Sequence, residues 1–215
     1  MRIRLFTIIL LSACLATTHA QDKRGRARNI VVSYSPMTND IIKLTGFTKS
    51  DPDIMARYQL ENGYAGSLSF EKQCNGRITE TELTYRVGKF KSSEISEEIE
   101  HLVPYTLEDI YSASISWYYG YTLLGKRSRI QLPIYLGIGG SYTNGDIIHN
   151  ITFDVAAKAR LKLFITPNVG LFAGANWRGG LGTKKIKQND DPDDDLLPSL
   201  SIANWNLNGG LIVCW

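Results

Sequence analysis

The C-terminal segment of the chain alternates strictly between apolar and polar residues, and this pattern constrains the fold more than any other feature. One set of alternate positions holds Ala203, Trp205, Leu207, Gly209, Leu211, Val213 and Trp215. The positions between them hold Asn204, Asn206, Asn208 and Gly210. A period of two places these sets on opposite faces of a β-strand, whereas a helix would mix them around its circumference.

The same alternation marks seven further segments, at about 30–35, 64–71, 80–88, 111–121, 129–139, 151–165 and 169–178. In the segment 151–165 the even positions include Asp154, Lys158, Arg160 and Lys162, while apolar residues occupy the odd positions. Phe172 is an exception, because it is an aromatic residue on the polar side of its segment. The sequence therefore predicts an all-β fold of eight strands.

The connections between these segments alternate in length. Short connections with turn-forming residues lie at 74–76, 124–128 and 166–168. Long connections lie at about 36–63, 91–108, 143–150 and 181–199. Short turns at one end and long loops at the other are typical of an antiparallel up-and-down transmembrane barrel. We expect one barrel domain over residues 21–215, since a chain of this size leaves no room for a second domain.

Residues 1–20 have the features of a secretory signal peptide. Arg2 and Arg4 precede a short apolar run, and the small-residue site at 18–20 precedes Gln21. The segment at 11–14 also resembles a lipobox that would acylate Cys14. Cleavage after Ala20 is favoured because Leu15 and Ala16 continue the apolar run.

Charge and cysteine content exclude two other classes of protein. Lys and Arg number 24 against 21 Asp and Glu, and loss of Arg2 and Arg4 leaves a nearly neutral chain with no basic surplus for nucleic acid. Two cysteines after the leader, Cys74 and Cys214, are too few for a disulfide scaffold. They fall at the same predicted end of the barrel, either as free thiols or as a disulfide.

The position of the aromatic residues favours lipid contact over a soluble barrel of the lipocalin type. The predicted aromatic girdles comprise Tyr34, Tyr64, Tyr111, Trp177 and Trp205 at the long-loop end and Trp215 at the short-turn end. At ~3.3 Å per residue and ~40° tilt, Trp205 and Trp215 would be about 25 Å apart along the membrane normal, as in an outer-membrane barrel. We therefore expect the apolar face to point outward into lipid.

The inward face then carries both signs of charge. The predicted lumen charges are Glu80, Glu82, Arg86, Asp154, Lys158, Arg160 and Arg178, with Glu71 and Lys162 on the same face. An eight-stranded barrel is just wide enough to be filled by its own side chains. A paired ionic plug is favoured over a proton or ion path because buried charges are normally paired.

The end of the chain resembles the terminal assembly signal of outer-membrane barrels, with matches at Asn208, Gly210, Val213 and Trp215. Together with the leader and the eight segments, the chain resembles the OmpA/OmpX-like outer-membrane β-barrel family, especially versions from Bacteroidota-type bacteria. The terminal Trp departs from the commoner Phe. This resemblance implies residence in a Gram-negative outer membrane, with membrane lipids and the barrel-assembly machinery as partners.

The functional prediction is a non-enzymatic membrane anchor whose loops contact a surface partner, with no cofactor and no metal. The alternatives are a lipid A deacylase or acyltransferase, and a conjugation-apparatus component, which the segment 124–142 distantly resembles. His101 and His149 fall in predicted long loops and lack the His-x-Ser pattern of such deacylases. The acidic run at 190–195 is predicted to be a solvated loop, with calcium binding as the alternative.

Overall fold

The structure is a computed structural model that describes residues 26–37, 39–45, 54–101, 103–124, 129–145, 148–184 and 199–215. Its strands are β1 Arg26–Pro36, β2 Asn39–Thr45, β3 Met55–Cys74, β4 Arg77–Ile95, β5 Thr106–Leu124, β6 Ile130–Asn144, β7 His149–Phe164, β8 Val169–Lys184 and β9 Ser199–Cys214. A short 3₁₀ helix, Glu97–Ile99, lies between β4 and β5. The predicted signal peptide, Cys14 and the acidic run at 190–195 lie outside the described residues.

The strands form one antiparallel sheet that closes into a ring. Consecutive strands from β3 to β9 pair with one another, and β1 closes the ring by pairing with both β3 and β9. The predicted up-and-down barrel is therefore confirmed. Among the described residues, no helix is long and apolar enough to cross a membrane.

In the residues that the structure describes, the barrel has nine strands rather than the predicted eight. The additional strand, β2, lies within the predicted loop 36–63, and β3 begins at Met55 instead of near Tyr64. Both β1 and β2 pair with β3 on one side and β9 on the other. The two strands thus occupy the same place in the ring, one above the other, so the extra strand lengthens the wall rather than widening the barrel.

The long-loop end extends further as strand than the sequence predicts. β4 continues to Ile95 and β5 begins at Thr106, which shortens the predicted loop 91–108. His149 is the first residue of β7 rather than part of a long loop. At the other end, Asn75 and Gly76 have φ of 52° and 84°, as a two-residue hairpin turn requires. This hairpin therefore matches the turn chemistry of the sequence, whereas most of the predicted turn at 124–128 lies outside the described residues.

The outer wall is apolar over the body of the barrel. Its exposed large side chains include Leu68, Leu83, Ile115, Leu136, Ile138, Leu161, Leu171 and Leu207. The side chains between them in sequence point inward and are buried, including Ser69, Glu82, Ser116, Lys158 and Arg160. This arrangement is the reverse of a water-soluble protein, in which apolar side chains lie inside.

The polarity of the two faces changes at the long-loop end. There the inward side chains form an apolar cluster, the apolar head: Met37, Ile42, Leu44, Ile54, Ala56, Tyr58, Ala65, Phe90, Ile99, Val103, Leu107, Ile110 and Ile148. A smaller apolar cluster of Val31, Phe172, Ile212 and Cys214 lies inside the short-turn end. The buried charges adjoin this smaller cluster, because Lys162 is in register with Phe172.

The two cysteines lie on strands separated by β1. Cys74 is in register with Arg26 of β1, and Cys214 with Asn29 of the same strand. Two strand spacings place their Cα atoms at least ~9.6 Å apart, beyond the ~7 Å limit for a disulfide. Both are free thiols in the structure.

Candidate functional site

The centre of the barrel contains three carboxylates that face three cations. Glu71 comes from β3, Glu80 and Glu82 come from β4, and β7 supplies Lys158, Arg160 and Lys162. Glu80 and Glu82 are alternate residues of β4, and Lys158, Arg160 and Lys162 are alternate residues of β7, so each of these two sets points inward as a row, with Glu71 beside them on β3. We call these six residues the ionic core.

Arg160 makes the central contacts of the ionic core. Its Nη1 donates to both carboxylate oxygens of Glu80, at 3.0 and 2.9 Å, and its Nη2 donates to Oε2 of Glu82 at 3.0 Å. Lys158 Nζ bridges the same two carboxylates, at 2.8 Å from Glu80 and 3.1 Å from Glu82. Two cations therefore share two carboxylates in a closed network.

Glu71 and Lys162 form the second part of the ionic core, nearer the short-turn end. Lys162 Nζ lies 2.6 Å from each oxygen of Glu71. Tyr135 donates its hydroxyl to Glu71 at 2.7 Å, and Asn29 donates its amide at 2.6 Å. The Glu71 carboxylate is therefore saturated with donors, as a buried charge requires.

Aromatic rings pack against the cations of the ionic core. Lys158 Nζ lies 3.5 Å from the ring centroid of Tyr118. The guanidinium of Arg160 lies 5.4 Å from the Tyr135 ring and 5.0 Å from the Phe172 ring. Phe172 broke the alternation of β8 in the sequence, and its contact with Arg160 gives the physical reason for an inward aromatic residue.

The other predicted lumen charges lie beyond the ionic core, toward the long loops. Arg178 pairs with Asp154 at 3.1 Å and also donates to the hydroxyls of Ser114 and Ser116. Arg86 lies 3.8 Å from Asp40, a residue that the sequence analysis placed in a loop. A polar cavity of about 30 Å³ adjoins Arg86 and Arg178, enough room for about one or two water molecules.

The ionic core leaves no room for a water-filled channel at its own level. The side chains of Glu71, Glu80, Arg160 and Lys162 are 0% exposed. A hydrated pore would leave such side chains in contact with solvent. The arrangement therefore cross-links the wall of the barrel from the inside, and each carboxylate already has its cation.

The predicted girdle residues all lie on the outer wall. Tyr34, Tyr64, Tyr111, Trp177, Trp205 and Trp215 are each exposed. Trp177 and Trp205 are directly opposite each other on β8 and β9. Tyr111 stacks with Tyr85 at 6.4 Å between ring centroids. Tyr85 was not among the predicted girdle residues, although it lies on the apolar face of its segment.

Three of the four residues of the predicted assembly signal lie on β9, and Trp215 follows its last residue. Asn208 is buried inside the barrel and Trp215 is exposed. Val213 pairs with Ile30 of β1 and with Val169 of β8. Gly210 is opposite Ser33 at the junction where β1 and β9 close the ring. The segment that resembles the signal is thus also the segment that closes the barrel.

Tyr58 is a titratable residue that lies in the apolar head. Burial raises the pKa of Tyr58 to about 12. Its hydroxyl donates to the backbone oxygen of Pro104 at 2.9 Å and ties β3 to the loop after the 3₁₀ helix. On the outer rim, a hydrogen bond from Lys89 lowers the pKa of Glu108. Tyr58 therefore has a structural role, because its hydroxyl proton is held in the hydrogen bond to Pro104.

Comparisons with solved structures identify the fold. No protein-family model matches the chain, and no curated protein matches its sequence. The outer membrane protein OprG from Pseudomonas aeruginosa is 9% identical with a TM-score of 0.57, over 88% of this chain and 95% of OprG. The outer membrane protein AlkL, solved in DMPC lipid bilayers, is 11% identical with a TM-score of 0.56, over 93% of this chain and 95% of AlkL. The fold is therefore that of small outer-membrane β-barrels.

Proposed function

We propose that the chain is an exported protein of the Gram-negative outer membrane, built as a closed barrel that spans the lipid and presents its long-loop end at the cell surface. In this proposal β1 and β2 count as one interrupted strand, which gives the eight-stranded wall of an OmpA/OmpX-like barrel. The barrel is an anchor, and the loops make the specific contacts.

The inverted distribution of polarity carries this proposal. Leu136 is 72% exposed and Leu207 is 58% exposed, whereas Arg160 and Lys162 inside the same wall are 0% exposed. Exposed apolar patches larger than a few hundred Å² are rare on soluble monomers. A lipocalin-like soluble barrel would hold apolar side chains inside, around its ligand. Contact with hydrocarbon accounts for both faces at once.

Labelling with two thiol reagents tests the orientation. In a Cys74→Ser/Cys214→Ala background, we expect Leu171→Cys to react with a lipid-soluble maleimide and to resist a charged, water-soluble maleimide. Gln59→Cys on the exposed extension of β3 is the matched control and should react with the charged reagent. Rapid reaction of Leu171→Cys with the charged reagent, in protein reconstituted in bilayers, would refute the membrane-spanning orientation.

We propose that the protein has no catalytic activity of its own. Every charged group of the ionic core is already bound to an opposite charge, so none is free to serve as an acid or base. His101 and His149 are exposed side chains at the long-loop end. We expect the lipid A of a deletion strain to have the same mass spectrum as that of the parent strain. A missing or additional acyl chain would reverse this conclusion.

Photocrosslinking in cells can identify the partner that the loops contact. The long-loop end includes the predicted acidic run at 190–195, which lies outside the described residues. Photocrosslinking from that run in intact cells should capture a surface partner. Crosslinking from Lys72 at the short-turn end serves as the control for the other side of the membrane.

A further inference from the structure

The outer wall at the short-turn end carries a pair of cations that have no acidic partner among the described residues. Arg28 on β1 and Lys72 on β3 are exposed. Their inward neighbours, Asn29 and Glu71, are buried and hydrogen-bonded to each other, which fixes the two cations on the outer face. The pair therefore lies outside the barrel and separate from the ionic core.

The register of β1 and β3 places these two cations directly opposite each other. Like charges in this position destabilise a sheet unless an anion lies near them. In the described part of the chain neither cation makes a salt bridge. By contrast, Lys89 at the long-loop end lies 2.8 Å from Glu108 and 3.8 Å from Glu61. The Arg28 and Lys72 pair is thus suited to an anion from outside the chain.

A groove next to the pair is suited to an acyl chain. It has a volume of about 470 Å³, and its lining includes Arg28, Phe70, Lys72, Thr79, Trp117 and Trp215. Glu71 and Glu80 also line it, but their side chains are 0% exposed and paired within the ionic core. Phe70, Trp117 and Trp215 are 48%, 54% and 42% exposed, so their rings form apolar walls. The volume falls within the ~300–1,000 Å³ range of small-molecule pockets. Cations at one end and aromatic rings along the sides match an amphipathic anion.

We propose that this groove binds one anionic phospholipid of the leaflet on the short-turn side, with the phosphate on Arg28 and Lys72 and an acyl chain against Phe70, Trp117 and Trp215. A guanidinium binds phosphate oxygens in a bidentate manner, and a nearby ammonium adds a point charge. The inference rests on the proposed membrane-spanning function, because only that function places Trp215 at the lipid–water interface.

Photocrosslinking in defined bilayers tests the site. The full mature protein is reconstituted in phosphatidylcholine with trace photoactivatable phosphatidylglycerol, or with the same probe built on phosphatidylcholine, and crosslinks are mapped to residues. We expect the anionic probe to label Phe70, Trp117 or Trp215 more strongly than the zwitterionic probe. The preference should be about fivefold for each contributing charge.

Two variants distinguish binding at this groove from a general electrostatic attraction of anionic lipids to the protein. Arg28→Gln/Lys72→Gln should lose the preference, whereas Lys89→Gln, which removes a paired cation at the other end, should keep it. Excess inorganic phosphate should leave the preference unchanged, because the groove takes the whole lipid. Loss of preference in phosphate would assign the cations to free phosphate and overturn the proposal, as would equal labelling by the two probes.

The same experiment distinguishes failure of this site from failure of the proposed function. Leu171 lies on the outer wall and should be labelled by both probes whenever the barrel spans the bilayer. Labelling of Leu171 without any anionic preference at the groove would refute the lipid site and leave the membrane-spanning barrel intact. Absence of labelling at Leu171 would refute both.

Discussion

Arg160→Met is expected to lower the free energy of unfolding by about 3–5 kcal/mol, the cost of removing one partner from a buried ion pair. Arg160 donates to both Glu80 and Glu82, and Lys158 is the other cation that these two carboxylates share. Without Arg160, two buried negative charges compete for one ammonium group. Unfolding in urea, followed by tryptophan fluorescence of the protein refolded in micelles, measures the loss.

Two further variants show whether the loss comes from unbalanced charge or from lost packing. The double variant Arg160→Met/Glu80→Gln restores neutrality, since Glu82 and Lys158 remain as a pair, and should be more stable than Arg160→Met alone. Arg86→Met is the matched cation control. Its side chain is 15% exposed and lies 3.8 Å from Asp40, a longer contact than the 2.9 and 3.0 Å that Arg160 makes with Glu80 and Glu82, so Arg86→Met should cost less than Arg160→Met. A double variant less stable than the single one would contradict the charge explanation.

The body of the barrel could be predicted from the sequence because one rule holds over most of it. Apolar residues face outward and polar residues face inward, so the alternation of β7 and β9 identifies both the strands and their faces. The positions of Lys158, Arg160 and Lys162 on one face follow from their spacing alone. The Asn75-Gly76 pair likewise predicted the position of the hairpin turn between β3 and β4.

The extensions at the long-loop end were missed because the rule reverses there. Ile42 and Leu44 point inward to the apolar head, while Lys43 between them points outward. With Ile41 also outward, β2 shows no clear contrast between its faces. Ala56 and Tyr58 of β3 follow the same reversed pattern. A strand whose inward face changes from polar to apolar along its length cannot keep one alternation, so the sequence suggested a loop.

The pairing of the lumen charges required the closed ring. Glu80 and Arg160 lie on β4 and β7, which are not neighbouring strands and meet only across the lumen. Their contact depends on how far each strand is shifted against the next around the wall. A single sequence shows which residues are charged, but it does not show how far each strand is shifted against its neighbour. Asp40, the partner of Arg86, was missed because β2 was missed.

Gly210→Ala is expected to be the most damaging small substitution in the wall, because it acts where the ring closes. A Cβ at Gly210 would collide with the backbone oxygen of Val32 on β1 and would lie 2.9 Å from Cα of Ser33. It would also lie 2.8 Å from the ring of Phe172. Both neighbours in β1 are backbone atoms, so β9 must move away from β1 to make room.

The adjacent Gly209→Ala provides a matched control with the same change in composition. A Cβ at Gly209 has its nearest contact at 3.4 Å, with the backbone oxygen of Phe172, so it fits without movement of the strands. We expect Gly210→Ala to lose at least about 1–3 kcal/mol of stability, and Gly209→Ala to remain within about 1 kcal/mol of the parent. The fraction of heat-modifiable, closed barrel on a gel should fall in Gly210→Ala alone.

Refolding without cellular machinery then separates the two roles of this position. Gly210 belongs to the predicted assembly signal, and it also lies in the short β1–β9 pairing that runs from Asn29 to Tyr34. A steric cause acts on the finished wall, so Gly210→Ala should fold poorly both in cells and in purified micelles. If the variant folded normally in micelles and failed only in cells, recognition by the assembly machinery would be the reason for this glycine. Close contact with β1 predicts the first result, because the collision is with the barrel itself.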